Sequence, residues 1–255
     1  MKAMVHKIAG ELGQARRVLF VTGAGISADS GLPTYRGVGG LYNDGTTEDG
    51  LAIEDALSGE CLAFRPEITW KYLAQIERNC HGVEPNAAHR AIAALERPRE
   101  VVVLTQNIDG LHLKAGSSEV IEIHGTLEER YCAHCGAEAD AGDPVVPPRC
   151  AECGEIVRPR VVLFGEMLPG DALERLYGEL ARGFDMVFVV GTTAVFPYIA
   201  EPVMRAVRQD VPTVEINPAR TRLSDLVRYY VPERAALVLP EIVRLAREPE
   251  AGRGG

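Results

Sequence analysis

Five apolar segments, each ending in a polar turn, set the strongest constraint on how this chain folds. They are residues 17–22, Glu100 to Leu104, Val120 to Ile123, Phe184 to Val190 and Thr213 to Ile216. Segments that are apolar on both faces are typical of buried strands in a parallel sheet. Because helical patterns separate most of them, we predict an α/β fold with a doubly wound, mostly parallel, Rossmann-like sheet. Ligands of such sheets bind beyond the carboxyl ends of the strands, where the polar turns meet.

The turn after the first strand is rich in glycine and small polar residues. Gly23, Gly25 and Ala28 have the spacing of a dinucleotide-binding turn, in which exposed backbone N–H groups can bind a pyrophosphate. The spacing alone is a weak signal, because a tight turn without a ligand can share it. Gly31 and Pro33 also interrupt the long helix that follows such a turn in hydride-transfer enzymes. We therefore predict a dinucleotide held in an unusual manner.

A helical module is predicted between the first two strands. Helical spacing runs from Glu54 to about Asn79, and we interpret its apolar stripe as core. The stripe contains Ile68, Tyr72 and Ile76, with Trp70 nearby. The glycine-rich segment before it, Gly37 to Gly50, is expected to be a mobile loop. A further helix is predicted from Pro85 to about Glu96, with Asn86 as its N-cap.

Composition and charge exclude several classes of function. The chain has 255 residues and a formal net charge of −9, which argues against binding to a nucleic-acid backbone. No apolar run approaches the ~20 residues of a membrane span, and the first 13 residues lack the apolar core of a signal peptide. We expect a cytoplasmic protein that binds neither nucleic acid nor membrane, with a flexible tail over residues 249–255.

Four of the six cysteines form two pairs with the spacing of a metal site. Cys132 and Cys135 make the first Cys-x-x-Cys pair, and Cys150 and Cys153 make the second. Two such pairs can enclose one tetrahedral zinc ion, and a site with four sulfur ligands has no open position for catalysis. A redox pair or two disulfides are the alternatives, and both fit poorly in a chain without a secretory signal. We predict one structural Zn²⁺, with the intervening His134 as a solvent-exposed bystander.

Taken together and in order, these motifs resemble those of the sirtuins, the Sir2-type NAD-dependent protein lysine deacylases, in their bacterial form. The resemblance covers about residues 16–245. Its motifs are Gly23-Ala24-Gly25-Ile26-Ser27 with Tyr35-Arg36, Thr105-Gln106-Asn107-Ile108-Asp109, His124-Gly125, the two cysteine pairs, Val162-Leu163-Phe164-Gly165-Glu166, Gly191-Thr192-Thr193 and Glu215-Ile216-Asn217. It implies a transferase that cleaves NAD to nicotinamide and moves the acyl group of an acyl-lysine protein or peptide to ADP-ribose.

The resemblance also implies roles for individual residues. His124 matches the general base, and Asn107 and Asp109 match the pair that holds the ribose and the nicotinamide carboxamide. The remaining NAD contacts match Gly23, Ala24, Gly25, Ser27, Tyr35, Arg36, Gln106, Ile108, Gly191, Thr192, Thr193, Asn217 and Ala235. Val162 and Phe164 match the walls of the acyl-lysine tunnel, and the backbone around Gly165 and Glu166 matches the edge that pairs with the substrate peptide.

Some positions depart from the common sirtuin pattern. Thr34-Tyr35 stands where many members have Asp-Phe, and Gly-Thr-Thr replaces Gly-Thr-Ser. Members that remove succinyl or malonyl groups carry Tyr-x-x-Arg in the helical module, whereas this chain has Tyr72-Leu73-Ala74-Gln75. We therefore expect neutral acyl groups, acetyl first. A sirtuin-type mono-ADP-ribosyltransferase and a non-catalytic NAD or ADP-ribose sensor are the alternative functions, and the sequence does not settle the oligomeric state.

The resemblance implies a division of the chain into parts. Residues 1–36, 86–125 and 158–248 are assigned to a Rossmann-like NAD-binding domain. Residues 37–85 are assigned to the helical module and cofactor loop, and residues 126–157 to a zinc ribbon. The last two parts together would form a smaller domain.

Overall fold

The structure is a computed structural model that describes residues 1–34, 46–97, 99–139 and 146–247. These described residues form nine strands: β1 Arg17–Thr22, β2 Glu100–Thr105, β3 Val120–Glu122, β4 Gly125–Cys132, β5 Glu138–Ala139, β6 Val157–Val161, β7 Met186–Val190, β8 Thr213–Ile216 and β9 Tyr229–Val231. The α-helices are α1 Lys2–Gln14, α2 Ile53–Ala56, α3 Gly59–Phe64, α4 Pro66–Cys80, α5 Ala87–Ala94, α6 Leu111–Lys114, α7 Gly170–Arg182, α8 Pro197–Arg208 and α9 Ala235–Arg247. Most of the predicted mobile loop and the whole predicted tail lie outside the described residues.

Six of these strands form one parallel sheet in the order β3-β2-β1-β7-β8-β9. This is the strand order of a doubly wound sheet, so the predicted fold class is confirmed. The order reverses beside β1, which places the crevice for a ligand between the ends of β1 and β7. The sixth strand, β9, was not predicted, because its two tyrosines are only half-buried and it is flanked by Arg228 and Pro232, so no continuous apolar run indicates it.

Two apolar layers cover the two faces of the sheet, and alternate residues of each strand supply them. Val18 and Phe20 of β1 point toward α1, α5 and α9, whereas Leu19 and Val21 point toward α7 and α8. Phe20 stacks on Phe188 of β7 with ring centroids 4.7 Å apart. Strands buried on both faces explain why the sequence shows continuous apolar runs there.

The predicted helical module consists of three helices, α2, α3 and α4. Ser58 caps α3 by accepting a hydrogen bond from the backbone N–H of Cys61 at 3.0 Å, and Pro66 starts α4, where a proline is tolerated. The apolar stripe is core, as predicted: Ile68, Tyr72, Ile76 and Trp70 are all buried in one cluster. Asn86 caps α5, also as predicted, since its side chain accepts from Ala88 N–H at 2.9 Å.

A second sheet carries the cysteine pairs. Its strands are antiparallel in the order β5-β4-β6, and among the described residues the buried members of its own apolar cluster are Cys132, Cys150 and Val157. Trp70 of α4 donates from its indole nitrogen to the Val157 carbonyl at 2.9 Å, and Arg130 of β4 pairs with Glu77 of α4. The small sheet therefore depends on the helical module and on the cysteine site for its stability.

Two histidines lie edge to face beneath the glycine-rich turn. His89 and His112 are buried with ring centroids 4.8 Å apart, and His112 Nε2 lies 3.0 Å from the hydroxyl of Thr22 at the end of β1. Burial lowers the pKa of His89 to about 4 and the pKa of His112 to about 3, from an ordinary value of 6.5. Both rings are therefore neutral in the folded protein near neutral pH.

Because His89 and His112 are buried as neutral rings, we predict that the folded protein loses stability in acid. The unfolded chain takes up protons on both histidines as the pH falls below 6.5, whereas the folded chain does so only near pH 4 and pH 3, so the free energy of unfolding falls with pH across that window. We expect a loss of about 2 kcal/mol per histidine between about pH 7 and about pH 5. Urea titrations over this range test it. The loss should shrink in His112→Gln and persist in the control His6→Gln; an equal pH dependence in His112→Gln and the natural protein would contradict the assignment.

None of the helices in the part of the chain that the structure describes is both long and apolar enough to cross a membrane.

Candidate functional site

The turns that follow β1 and β7 touch each other through backbone atoms. Gly25 N–H donates to the Gly191 carbonyl at 2.8 Å. A Cβ on Gly25 would lie 2.7 Å from Gly191 Cα, and a Cβ on Gly23 would lie 2.7 Å from Thr192 Cβ. Real Cβ atoms do not approach other atoms this closely, so glycine is required at both positions. The Gly-x-Gly pattern therefore serves the contact between two strand-end turns as well as any contact with a ligand.

The turn after β2 joins this contact through Gln106. Its backbone N–H donates to the Thr22 carbonyl at 3.1 Å, and its side-chain amide donates to the Thr192 hydroxyl at 2.7 Å. The ends of β1, β2 and β7 are thus held as one rigid edge. This is the edge at which a doubly wound sheet binds its ligand.

Ser27, Asn107 and Asp109 form a hydrogen-bonded cluster at that edge. The Ser27 hydroxyl donates to Asp109 Oδ2 at 2.7 Å, and the Asn107 amide donates to the Ser27 hydroxyl and to the Gly23 carbonyl, both at 3.2 Å. Burial raises the pKa of Asp109, and the Ser27 hydroxyl and the backbone N–H of Leu111 partly oppose that rise. Together with the backbone dipoles around it, the cluster offers both donors and acceptors to a polar ligand.

The cluster lines a cleft whose other wall was not predicted. The cleft residues are Ala24, Ser27, Leu32, Pro33, Ile76, Asn79, Cys80, Asn107, Ile108 and Asp109. Ile76, Asn79 and Cys80 belong to the last turns of α4, whose sequence pattern indicates only a core stripe. Burial and the nearby Asp109 raise the pKa of the Cys80 thiol to about 11, so this thiol is protonated and a poor nucleophile.

His124 follows β3 and has a defined tautomer. Its Nδ1 lies 3.0 Å from the backbone carbonyl of Gln106; because a carbonyl only accepts, Nδ1 carries the proton. Burial lowers the pKa of His124, opposed by this hydrogen bond, so the ring is neutral at neutral pH and Nε2 is its proton-accepting atom. Nε2 lies 2.7 Å from the hydroxyl of Tyr198 in the first turn of α8, a partner that sequence reasoning missed.

The backbone beside His124 connects to the segment proposed from sequence as a substrate edge. Val162 N–H donates to the His124 carbonyl at 2.9 Å. Phe164 is 40% exposed, and its backbone pairs with the helical module, since its N–H donates to the Leu57 carbonyl and its carbonyl accepts from Gly59 N–H. The Glu166 carboxylate is paired with Arg158 and accepts from Leu163 N–H, so that side chain has a structural partner. Gly165 lies between them in the left-handed region, at a φ of 81°.

The turns after β7 and β8 form the far end of the edge. Asn217 donates from its side chain to the Thr192 carbonyl at 3.2 Å, Thr192 is buried and Thr193 is exposed. Glu215 is fully buried in β8 and accepts from the hydroxyls of Thr221 and Ser224, which holds the loop after the strand. Ala235 is buried at the start of α9. Tyr35 and Arg36 lie outside the described residues.

The four paired cysteines converge on one point. Their sulfur atoms all lie within 4.8 Å of one another, with closest separations of 3.5 Å and 3.6 Å. Four ligands placed tetrahedrally at the usual ~2.3 Å from zinc would have sulfur atoms ~3.8 Å apart, whereas a disulfide requires ~2.05 Å. Two matching knuckles carry the sulfurs, each closed by a glycine N–H that donates to the first cysteine's carbonyl at 2.9 Å. The arrangement fits a structural zinc ion.

Known proteins are similar to this chain in sequence and in fold. The Sir2 family profile matches residues 23–197. An NAD-dependent protein deacylase 2 of Pseudomonas aeruginosa is 53% identical over 246 residues, covering 94% of this chain and 96% of that protein. A crystal structure of a Sir2 homolog–NAD complex superposes with a TM-score of 0.84 at 36% identity, covering 94% of this chain and 93% of the other. A Sir2–p53 peptide–NAD⁺ structure gives a TM-score of 0.80 at 30% identity, covering 92% and 95%.

Proposed function

This chain belongs to the Sir2 family, and from that premise we propose how its residues carry out the reaction and which acyl group it removes. The protein is an NAD-dependent protein deacylase. NAD is its consumed co-substrate: the reaction releases nicotinamide and transfers the acyl group to ADP-ribose. The residues at the carboxyl edge of the sheet fit this co-substrate, because donors, acceptors and close-packed glycine turns meet there beside an open cleft.

His124 is the general base, and its tautomer carries this proposal. A base must be unprotonated and must offer a lone pair toward the reacting hydroxyl. The Gln106 carbonyl keeps the proton of His124 on Nδ1, which leaves Nε2 free of a proton, and the lowered pKa keeps the ring neutral. The ring can therefore take up the proton that the ribose hydroxyl on the nicotinamide side gives up.

Ser27, Asn107 and Asp109 hold the nicotinamide end of the co-substrate. Their mutual hydrogen bonds at 2.7 Å and 3.2 Å fix the three side chains before the ligand arrives, so that little ordering remains to be done on binding. Ala24 and Ile108 supply apolar wall to the same cleft. We assign Tyr35 and Arg36 to this region as well, on the family resemblance alone.

The turns after β1, β7 and β8 hold the rest of the dinucleotide. Gly23, Gly25 and Gly191 bring two backbones into contact, and backbone N–H groups at such turns favour a pyrophosphate. Asn217 ties the turn after β8 to Thr192, which fits an adenosine-side contact. We place Thr193, Gln106 and Ala235 in the same set.

The substrates are acyl-lysine side chains of proteins or peptides. One relative is known in complex with a p53 peptide and NAD⁺, and the exposed ring of Phe164 with the adjoining Val162 fits a wall for an acyl-lysine in this chain. The backbone around Gly165 and Glu166 would pair with the peptide as an added strand. In this proposal the Glu166 carboxylate remains paired with Arg158. Its role is to hold the segment in place, and the backbone makes the contacts with the peptide.

We expect acetyl-lysine peptides to be turned over faster than succinyl-lysine peptides. The hydroxyl of Tyr72 donates to Asp49 at 2.6 Å, and hydrogen bonds from Tyr72 and Lys71 lower the pKa of that carboxyl. At the place of the family's Tyr-x-x-Arg motif, Tyr72 is therefore already bonded to the Asp49 carboxylate. The fourth position of the motif is the exposed Gln75. An acyl carboxylate finds no arginine of that motif there.

A panel of acetyl, succinyl and longer-chain peptides with NAD tests the function and the preference together. Nicotinamide release and the fate of the ADP-ribose are followed for each peptide. Faster turnover of succinyl peptides would contradict the preference. Transfer of ADP-ribose to protein without acyl removal would instead favour the mono-ADP-ribosyltransferase, and binding of NAD without turnover would favour the sensor.

Two further assignments belong to this proposal. We assign residues 1–36, 86–125 and 158–248 to the NAD-binding domain, with residues 37–85 and 126–157 as the smaller one. Separate apolar clusters for the large sheet and for the helical module support the presence of two domains. Residues 158–163 pack with the smaller one, since β6 pairs with β4 and both Val161 and Leu163 lie in the cluster of the helical module. We also place the protein in the cytoplasm, because paired cysteines that bind a metal as thiols are typical of a reducing compartment.

A further inference from the structure

We propose that Tyr198 relays the proton from the ribose hydroxyl to His124. Tyr198 lies outside the set of residues that the family resemblance assigns, and the inference rests on the deacylase function proposed above. The observation behind it is a single contact, in which the Tyr198 hydroxyl oxygen lies 2.7 Å from His124 Nε2.

The direction of that hydrogen bond follows from the other side of the ring. Nδ1 donates to the Gln106 carbonyl at 3.0 Å, so in the neutral imidazole Nε2 has a single lone pair and no proton. The Tyr198 hydroxyl must therefore donate to Nε2. While this bond is in place, the only hydrogen that can move onto Nε2 is the hydrogen of the Tyr198 hydroxyl.

Several contacts hold Tyr198 in this place. Its ring stacks on Phe196, with centroids 5.4 Å apart and planes 12° from parallel, and both rings meet the His124 ring edge to face. Arg222 donates to the carbonyls of Ala194 and Val195 in the turn that leads into α8. Tyrosine in the first turn of an anchored helix is a fixed partner for the base.

The anchoring turn is itself strained, which argues that its geometry is maintained for a purpose. Ala194 has a φ of 48°, in the left-handed region that alanine rarely adopts. Its N–H donates to the Thr192 hydroxyl at 3.1 Å, and Thr192 in turn accepts from Gln106 at 2.7 Å. The same turn that meets the glycine loop therefore also sets the position of Phe196 and Tyr198.

The step balances without any further reactant. The O–H bond of the ribose hydroxyl breaks and its proton forms a new O–H bond on the Tyr198 oxygen, while the original Tyr198 proton moves to Nε2. The ribose oxygen keeps the electron pair with which it attacks the acyl-bearing carbon. His124 becomes an imidazolium whose Nδ1–H still donates to Gln106. Burial raises the pKa of Tyr198, so the phenol remains neutral before and after a concerted transfer.

Tyr198→Phe tests the relay, because it keeps the ring and removes only the hydroxyl. We expect kcat for deacylation to fall by ~10²-fold or more, with the KM for NAD little changed. Exchange of labelled nicotinamide into NAD, measured with an acyl peptide, should survive, because nicotinamide leaves before the base is needed. Tyr177→Phe, at an exposed tyrosine of α7, is the matched control and should retain both activities.

The results of these experiments distinguish the relay from direct proton transfer to His124, from a role of Tyr198 in an earlier step and from failure of the proposed function. Full deacylation by Tyr198→Phe would mean that the phenol moves aside and His124 takes the proton directly, which overturns the relay. Loss of exchange together with deacylation in a variant with an unchanged melting temperature would place Tyr198 in an earlier step and would also overturn it. An unsubstituted protein that neither exchanges nor deacylates would instead refute the proposed function. If Tyr198→Phe does not fold, a solvent-deuterium proton inventory of the natural protein decides: a curved plot indicates two moving protons, and a straight one excludes the relay.

Discussion

Replacing His124 with alanine should reduce deacylation by ~10²- to 10⁴-fold, the range that a positioned general base contributes. Of the residues proposed to act at the carboxyl edge of the large sheet, His124 alone is a histidine. Its tautomer is set by the Gln106 carbonyl. Binding of NAD should change little, because the proposed contacts to the dinucleotide come from the turns after β1, β2, β7 and β8. Calorimetric titration with NAD and a peptide deacylation assay measure the two effects separately.

The pH dependence of the natural protein gives a second readout. Burial lowers the pKa of His124 below 6.5, so the base stays neutral at neutral pH and kcat/KM should fall only as the pH drops below that value. His6→Ala, at an exposed histidine of α1, is the control and should behave like the natural protein. Turnover retained in His124→Ala would remove His124 from the mechanism.

Removal of zinc should unfold the small sheet and abolish activity. Structural zinc sites contribute ~10–16 kcal/mol of apparent binding free energy that is coupled to folding, and in the part of the chain that the structure describes the small sheet has three buried residues in a cluster of its own. Its strand β4 begins directly after His124, and Val162, just beyond β6, donates to the His124 carbonyl. Disorder in this sheet would therefore displace His124, the proposed general base.

Metal analysis and hydrogen exchange test this together. We expect about one zinc per chain in the natural protein and none in Cys132→Ala, with fast amide exchange over β4 and β6 in the variant. Cys61→Ala is the matched control, because Cys61 is a buried cysteine outside the metal cluster, and it should retain the zinc. A metal-free natural protein with a protected small sheet would contradict the assignment.

The sequence predicts best those features that depend on local pattern. Strands buried on both faces leave continuous apolar runs, so five of the six strands of the large sheet were predicted, while β9 was missed because its two tyrosines are only half-buried and it has no such run. Cys-x-x-Cys spacing reflects the reach of a single hairpin, and the four sulfur atoms do meet. Asn86 was identified as a helix cap because capping is decided within three residues.

Contacts between distant segments could not be read from the sequence. The helical spacing of α4 predicts its buried stripe, but gives no sign that Ile76, Asn79 and Cys80 also form a wall of the cleft. Gly23 and Gly25 suggest a ligand, whereas their close approach to Gly191 becomes visible only when β1 and β7 lie side by side. The contact between His124 and Tyr198 joins residues 74 positions apart.

The sequence by itself thus determined the fold class, the cysteine cluster and the family, because periodicity, spacing and motif order are properties of short segments. Only the tertiary structure decided which nitrogen of His124 carries the proton and which residue faces the other nitrogen. Those answers depend on the direction of hydrogen bonds between turns that the chain brings together from separate strands, and no local pattern specifies that direction.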